Sequence, residues 1–402
     1  MKIHESDIQK LLKSAYLQIN QGNFEKAKNL FKKVISINNN LPEVYNDLGS
    51  IFLNEKNFKE AIKYLFMLFV CTNVYAVDED LIFAEAFPSK LSDFKFFKDS
   101  SAQIPHDDVI PYELISTLFS DYSYKQRWVY VPKDKKAEYQ ENWVFDFPEG
   151  SALIKTFYYP VDERNPEMGK NLLETRLLLR KEDGWEAVSY AWNEEQNEAF
   201  KKVAGKTINA AWTDFMGVEK NVRYRVPNVN QCKECHAADD EITPIGPKAR
   251  NINKDLEFND GEFNQLAYWM NRQIIDEYPL ELTSPVDWTD ANQNINDRVR
   301  SYLDINCGHC HSPTGNANST GLYLHLNETR ETHLGIYKKP VATGRGSGGM
   351  KYSIVPGKPE ESILLHRMIS MDPGVMMPES GRALTHEEAV EMVKDWILLL
   401  KD

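Results

Sequence analysis

Cysteine is scarce in this sequence, with five residues in a chain of 402. That scarcity excludes a fold stapled throughout by disulfides, and a chain of this length needs none because it can bury a sizeable apolar core. An excess of positive charge is also missing. Lys and Arg total 47 against 60 Asp and Glu, a net charge of −13, which argues against a nucleic-acid partner because that would favour a basic face. No apolar run reaches the ~20 residues of a comfortable membrane span. The remainder is an ordinary globular composition, 42% hydrophobic and 27% charged. It has room for roughly three domains at ~150 residues each. Small molecules and other proteins are left as partners.

The few cysteines are not scattered. Four form two Cys-x-x-Cys pairs, Cys232 with Cys235 and Cys307 with Cys310, while Cys71 stands alone. Such close pairing reads as metal, redox or haem chemistry. A four-cysteine zinc ribbon separates its pairs by ~15–20 residues, whereas 71 residues lie between Cys235 and Cys307. A thioredoxin-like dithiol needs a βαβ context, and the sequence around these pairs lacks strands. The residue after each second cysteine decides the matter. It is His236 in one case and His311 in the other, and Cys-x-x-Cys-His is the attachment pattern of c-type haem.

The spacing follows from the chemistry. Each sulfur forms a thioether with one haem vinyl group. Positions i, i+3 and i+4 of a helical turn share one face, so both sulfurs meet one edge of the macrocycle and the imidazole lies under the iron. Two covalently bound haem c groups are therefore expected, at Cys232, Cys235 and His236 and at Cys307, Cys310 and His311, with the two histidines as iron ligands. His309, inside the second motif, reads as a partly solvated spacer. A second axial ligand sets what a haem does, and methionine opposite histidine makes an electron-transfer centre of raised potential. Met377, beside Pro378 in "DPGVMMPESGR", occupies the loop between an attachment helix and a closing helix. Met376 is its near rival, and Met350, Met368 and Met371 are weaker. For the first haem the choices are Met270, His106, Met168, Met216 or an open position. The Pro247 carbonyl is expected to accept the His236 N–H and so fix that ring.

The chain changes texture along its length and reads as multidomain. Residues 1–65 look like all-α tetratricopeptide-like hairpins. "QGNFEKAKNLF" is answered by "EKNFKEAIKYL", with Phe24 and Phe58, and Ala27 and Ala61, 34 residues apart, which is the tetratricopeptide period. Pro42 sits where a helix would begin. Residues 66–80 form a signal-like apolar segment. Lys56, Lys59 and Lys63 precede it, a Val74-Tyr75-Ala76 exit follows, and acids come after. The competing reading is the last helix of the repeat. Cys71 does not make it a lipoprotein site, because Val70 precedes it. Residues 81–226 alternate aromatic and β-branched runs with turns at Pro148-Glu149-Gly150 and Glu182-Asp183-Gly184, and read as an antiparallel β-sandwich-like domain. Residues 227–290, the first haem region, and 291–402, a second cytochrome c-like domain, are mainly α. The final amphipathic helix is expected to start at Thr385, with Glu388 as capping-box partner.

From about Phe87 to Leu400 the sequence resembles a group of bacterial di-haem c-type cytochromes with a β-rich front and two CxxCH motifs. The resemblance rests on "VIPYELISTLFSDYSYKQRWVYVP", "FDFPEGSALIKTFYYP", "LLETRLLLRKEDGWEAVSYAWNEEQ", "VPNVNQCKECH", "TPIGPKARNIN", "YLDINCGHCHSP", "VATGRGSGG", "YSIVPGKPEESILLHRM" and "DPGVMMPESGR". It implies an exported redox protein with haem at Cys232, Cys235, His236, Cys307, Cys310 and His311. It also implies a redox protein partner, with a parallel β-helix protein as one candidate. The tetratricopeptide front lies outside the usual layout of that group. The functional expectation is an electron carrier or redox subunit, periplasmic or anchored through residues 64–77 and facing the periplasm. The alternatives are a di-haem peroxidase or oxidase with an open first iron, and a tetratricopeptide-based binding protein with structural haems.

Overall fold

The computed structural model describes residues 5–38, 41–239, 241–341 and 343–401. The chain divides into two compact units between Val77 and Asp78. The first is built of four helices, Glu5–Asn20, Phe24–Ile37, Pro42–Asn54 and Phe58–Tyr75. The sequence period maps directly onto them. Phe24 and Phe58 each open a helix, and Ala27 and Ala61 are fully buried where a larger side chain would push neighbours apart. Pro42 is the first residue of its helix, where its missing N–H costs nothing. Lys28 is buried within this unit, and its ammonium is answered by Glu55 at 2.7 Å and by Glu25.

The signal-like segment continues the Phe58–Tyr75 helix, and the backbone turns extended at Ala76. The side chains of residues 68–75, Cys71 among them, lie outside the described residues. Among the described residues, no helix is long and apolar enough to cross a membrane.

The second unit holds everything from Asp78 onward. The regions expected as separate domains at 81–226, 227–290 and 291–402 thus share one body. Its centre is a six-stranded antiparallel meander: Val109–Pro111, Tyr124–Tyr130, Ala152–Pro160, Lys170–Lys181, Gly184–Trp192 and Ala199–Lys201. The Lys181–Gly184 pair closes the turn expected at Glu182-Asp183. A sandwich was expected, but one large sheet is found. Its partner layers are a separate hairpin, Lys206–Thr213 with Glu219–Val226, and the helical segments that follow. Strand alternation reports that a face is buried without reporting what buries it.

One face of the sheet carries two apolar zones. At one end Phe157 and Tyr159 pack under the hairpin, and Tyr159 stacks on Trp212 with ring centroids 4.3 Å apart. At the other end Val129 and Leu153 join a core with Phe145, Trp269 and Ile305. The closing helix Glu387–Leu399 packs on the Ile295–Asn306 helix, which leads into the second motif, through Val299, Leu303, Val393 and Trp396. His386, not Thr385, holds the N-cap position of the closing helix. The Thr385 hydroxyl is engaged with the Ile369 carbonyl and the Met371 sulfur.

Candidate functional site: one cavity shared by two CxxCH motifs

The first motif lies on a short helix, Val229–His236. A capping box starts it: the Gln231 N–H donates to the Asn228 side chain at 2.9 Å, and the Asn228 N–H to the Gln231 side chain at 3.1 Å. After the helix, Ala237–Ala238 pairs with Glu241–Ile242, which folds Thr243 back onto His236. The Thr243 carbonyl is 2.9 Å from His236 Nδ1. It takes the role expected of Pro247, whose carbonyl instead accepts the Phe145 N–H at 3.4 Å. With Nδ1–H donated to a carbonyl, the lone pair of Nε2 is free for a metal. Burial, aided by the Lys155 ammonium, pushes the His236 imidazole down to about 3. The ring is therefore neutral at neutral pH, as an iron ligand must be.

The second motif follows the end of the Ile295–Asn306 helix. The Cys310 and His311 N–H groups both reach back to the Cys307 carbonyl, at 3.1 and 2.8 Å, and so keep the helical spacing past the helix end. The Thr320 hydroxyl donates to the Ala317 carbonyl at 2.6 Å, leaving its oxygen to face His311 Nδ1 at 3.4 Å. Burial, followed by Arg367, lowers the His311 ring to about 4. Burial also pushes the Cys307 and Cys310 thiols up to about 12.

All four cysteines are free. They share with His236 and His311 the wall of a single cavity of about 990 Å³, at the upper end of the ~300–1,000 Å³ common for ligand sites. The motifs are stitched together. Asn316 Nδ2 donates to the Glu234 and Lys233 carbonyls at 2.8 and 3.1 Å, and Cys310 Sγ approaches the Glu234 carbonyl at 3.5 Å. Ala238 bridges to Gly315. Among the described residues, no three His, Cys, Asp or Glu side chains converge as a metal cluster.

Met376 and Met377 both line this cavity. The Met377 N–H donates to the Arg367 carbonyl at 2.9 Å, and Arg367 Nε donates to the Val375 carbonyl at 2.8 Å, so Arg367 pins the methionine loop twice. Met368 also reaches the cavity from the core, whereas Met371 is largely exposed and Met350 does not line it. The first-haem candidates fare worse. His106, Met168, Met216 and Met270 all lie off the cavity wall, and the last three are exposed. His309 lines the cavity instead, with a buried Nδ1 that has no hydrogen-bond partner. It is more enclosed than a spacer needs to be.

The sequence reading missed the opposite wall of the cavity. On the sheet, Arg127 lies directly opposite Lys155, and Lys155 opposite Arg176, with Ser189 ending the row. Lys125 stands two residues before Arg127, hence on the same face. All four cations line the cavity. Like charges directly opposite on a sheet destabilise it. At ~6 Å and an effective dielectric of ~20, a pair of fully charged neighbours would cost roughly 3 kcal/mol, and a buried lysine relieves that cost by giving up its proton. Phe157 sits among them, its ring centroid 4.3 Å from the Arg176 guanidinium, 5.0 Å from Lys155 Nζ and 5.8 Å from Lys125 Nζ. Cation–π attraction of ~0.5–2 kcal/mol offsets only part of that repulsion.

Acids do not complete the balance. Glu174 pairs with Arg176 and accepts the Tyr224 hydroxyl at 2.6 Å, yet Glu174 Oε2 and Arg176 Nε remain buried and unpartnered. Among the described residues, no carboxylate forms an ion pair with Arg127 or Lys155. Burial, then the neighbouring Arg176 and Arg127, lowers the Lys155 ammonium to about 7. Burial, then Arg127, Lys155 and Arg176, lowers Lys125 well below its ordinary value. Unpaired cations around a cavity are a signature of an anionic occupant. Two haems would bring carboxylates to meet the cations, four vinyl groups for the four thiols and two irons for the two neutral imidazoles, so the residues present fit the group.

Against known families, residues 11–41 and 42–65 match the tetratricopeptide repeat, in agreement with the helical hairpins above. No curated protein and no solved structure matches the chain.

Proposed function

We propose that this protein is a di-haem c-type cytochrome that carries electrons, as a free carrier or as the redox subunit of an enzyme. One observation carries the reading: both CxxCH motifs open into one cavity and are tied to each other through Asn316, Glu234 and Cys310. Cofactors attached at Cys232 and Cys235, and at Cys307 and Cys310, would share that space, close enough to exchange electrons. Bound haem supplies one-electron iron chemistry, its potential tuned by axial ligand and surroundings. The chain's own residues do the rest. His236 and His311 present neutral nitrogens, Thr243 and Thr320 orient them, the apolar zones exclude water, and Met377 is the proposed second ligand at the second site.

The tetratricopeptide hairpins suit a protein partner, and a redox protein is the proposed one, a parallel β-helix protein being a candidate. We further propose export, with the haem-bearing unit periplasmic or anchored facing the periplasm, since thioether attachment in bacteria occurs beyond the inner membrane. The boundary between the two units, at Val77/Asp78, falls one residue beyond the Ala76 exit of the signal-like segment. A second reading, a peroxidase or oxidase, draws support from the absence of His106, Met168, Met216 and Met270 from the cavity wall, which leaves the first site to His309, Met376 or water.

A spectroelectrochemical titration tests the function. Two one-electron transitions with c-type spectra are expected. A pair of haems that cannot be reduced reversibly would refute electron transfer. A high-spin band in the oxidised protein would favour the enzyme reading.

A further inference from the structure

The sheet's role is not explained by motifs or repeats, yet it provides one wall of the cavity. We infer that Arg127, Lys155 and Arg176 form a carboxylate clamp for the cofactor of the first motif, and that this row raises that centre's potential above what its ligands alone would set. The inference rests on the di-haem reading and deepens it.

Geometry assigns the row to the first motif. The Val229–His236 helix packs against the Gly184–Trp192 strand, as does the Glu241–Ile242 segment that follows it. Ser189 of that strand continues the Arg127–Lys155–Arg176 row. The first motif is thus mounted on the sheet beside the cations. The electrostatic surroundings agree. Burial dominates at Cys232 and Cys235, with Arg176 and Lys155 acting on both thiols. The Cys307 and Cys310 thiols instead feel mainly burial and other thiols, and His311 feels Arg367.

The physical consequence has a sign. Three basic groups in cross-strand register repel one another to the extent that they are charged. A carboxylate between them turns repulsion into charge-assisted hydrogen bonds. Removing one cation should then help the protein before cofactor attachment and harm it afterwards. A fixed positive charge beside an iron also favours the electron-rich state, so losing the charge should lower the potential.

The test uses the full chain, made with and without haem-maturation machinery, as wild type, Lys155→Met and Lys155→Arg. In the haem-free protein Lys155→Met should raise the urea midpoint, while in the haem-loaded protein it should lower it. Its potential should fall at the transition that persists when Cys307 and Cys310 are replaced by alanine, and not at the other. Lys155→Arg should restore wild-type behaviour in both forms. A stability change of the same sign in both forms would overturn the clamp, as would an equal shift of both potentials. A wild-type potential that shifts when succinate is added would mean that the row takes free carboxylates, which would also overturn it. Wild-type protein carrying no covalent haem defeats the functional reading and the clamp together. Haem present without the sign reversal defeats the clamp alone.

Discussion

Asp304 lies three residues before Cys307 and ties the two halves of the site. Its Oδ1 and Oδ2 accept from Arg250 Nη2 at 2.8 and 2.9 Å, Oδ1 also accepts from the Leu326 N–H at 3.0 Å, and Lys248 Nζ is 4.0 Å away. Both Asp304 and Arg250 are 4% exposed. Asp304→Ala strands a buried guanidinium and a buried amide, so a loss of ~3–5 kcal/mol is expected. Arg250→Met should cost a similar amount. The double variant Arg250→Met/Asp304→Leu should cost far less than the two single losses added together, because it removes both charges. Urea unfolding of the full chain, followed by near-ultraviolet circular dichroism, measures all three.

The pH dependence follows from the same pair. Burial alone would raise the Asp304 carboxyl, but Lys248 and Arg250 hold it below its ordinary value. A lowered folded-state value makes the contribution fully present above the unfolded value of ~4 and lost as pH falls through the folded one. Wild type and Asp304→Asn should therefore differ by a constant amount above about pH 5 and converge in stronger acid. A loss under ~1 kcal/mol for Asp304→Ala, or strict additivity in the double variant, would refute the reasoning.

Three further outcomes are expected. A Cβ at Gly315 would collide with the Cys310 and His309 carbonyls, so Gly315→Ala should deplete haem at the second motif and spare the first, as read by intact mass in each Cys-pair background. Met377→Ala should abolish the weak far-red band of methionine–iron ligation and lower one potential; loss of that band in Met376→Ala alone would transfer the role to Met376. N-terminal sequencing of the haem-stained protein should find either a start at Val77 or an uncut chain in the membrane fraction, and an uncut, haem-bearing cytoplasmic protein would refute export.

What the sequence made legible was set by spacing. The CxxCH spacing keeps Cys232, Cys235 and His236 within about one helical turn, and helix packing fixes the 34-residue recurrence of Phe24 and Ala27, so both patterns are visible in one dimension. The role of the Thr243 carbonyl was not legible, because a backbone acceptor leaves no side-chain signature and only the Ala237–Ile242 pairing brings it to His236. The sandwich expectation failed because alternation marks a buried face, not its cover. The cation wall had a faint signal. Arg127, Lys155 and Arg176 occupy inward positions beside apolar inward residues such as Val129, Leu153 and Phe157. Such local violations gather at functional sites, but only cross-strand register reveals that these three stand in one row.

The central claim is that each CxxCH motif carries one haem. Intact mass combined with a pyridine-haemochrome assay, on protein made with haem-maturation machinery, measures it directly. The account predicts two covalent haems per chain, one after Cys232 and Cys235 are replaced by alanine, and one after the same change at Cys307 and Cys310. A chain of unmodified mass that holds zinc at its cysteines would contradict it.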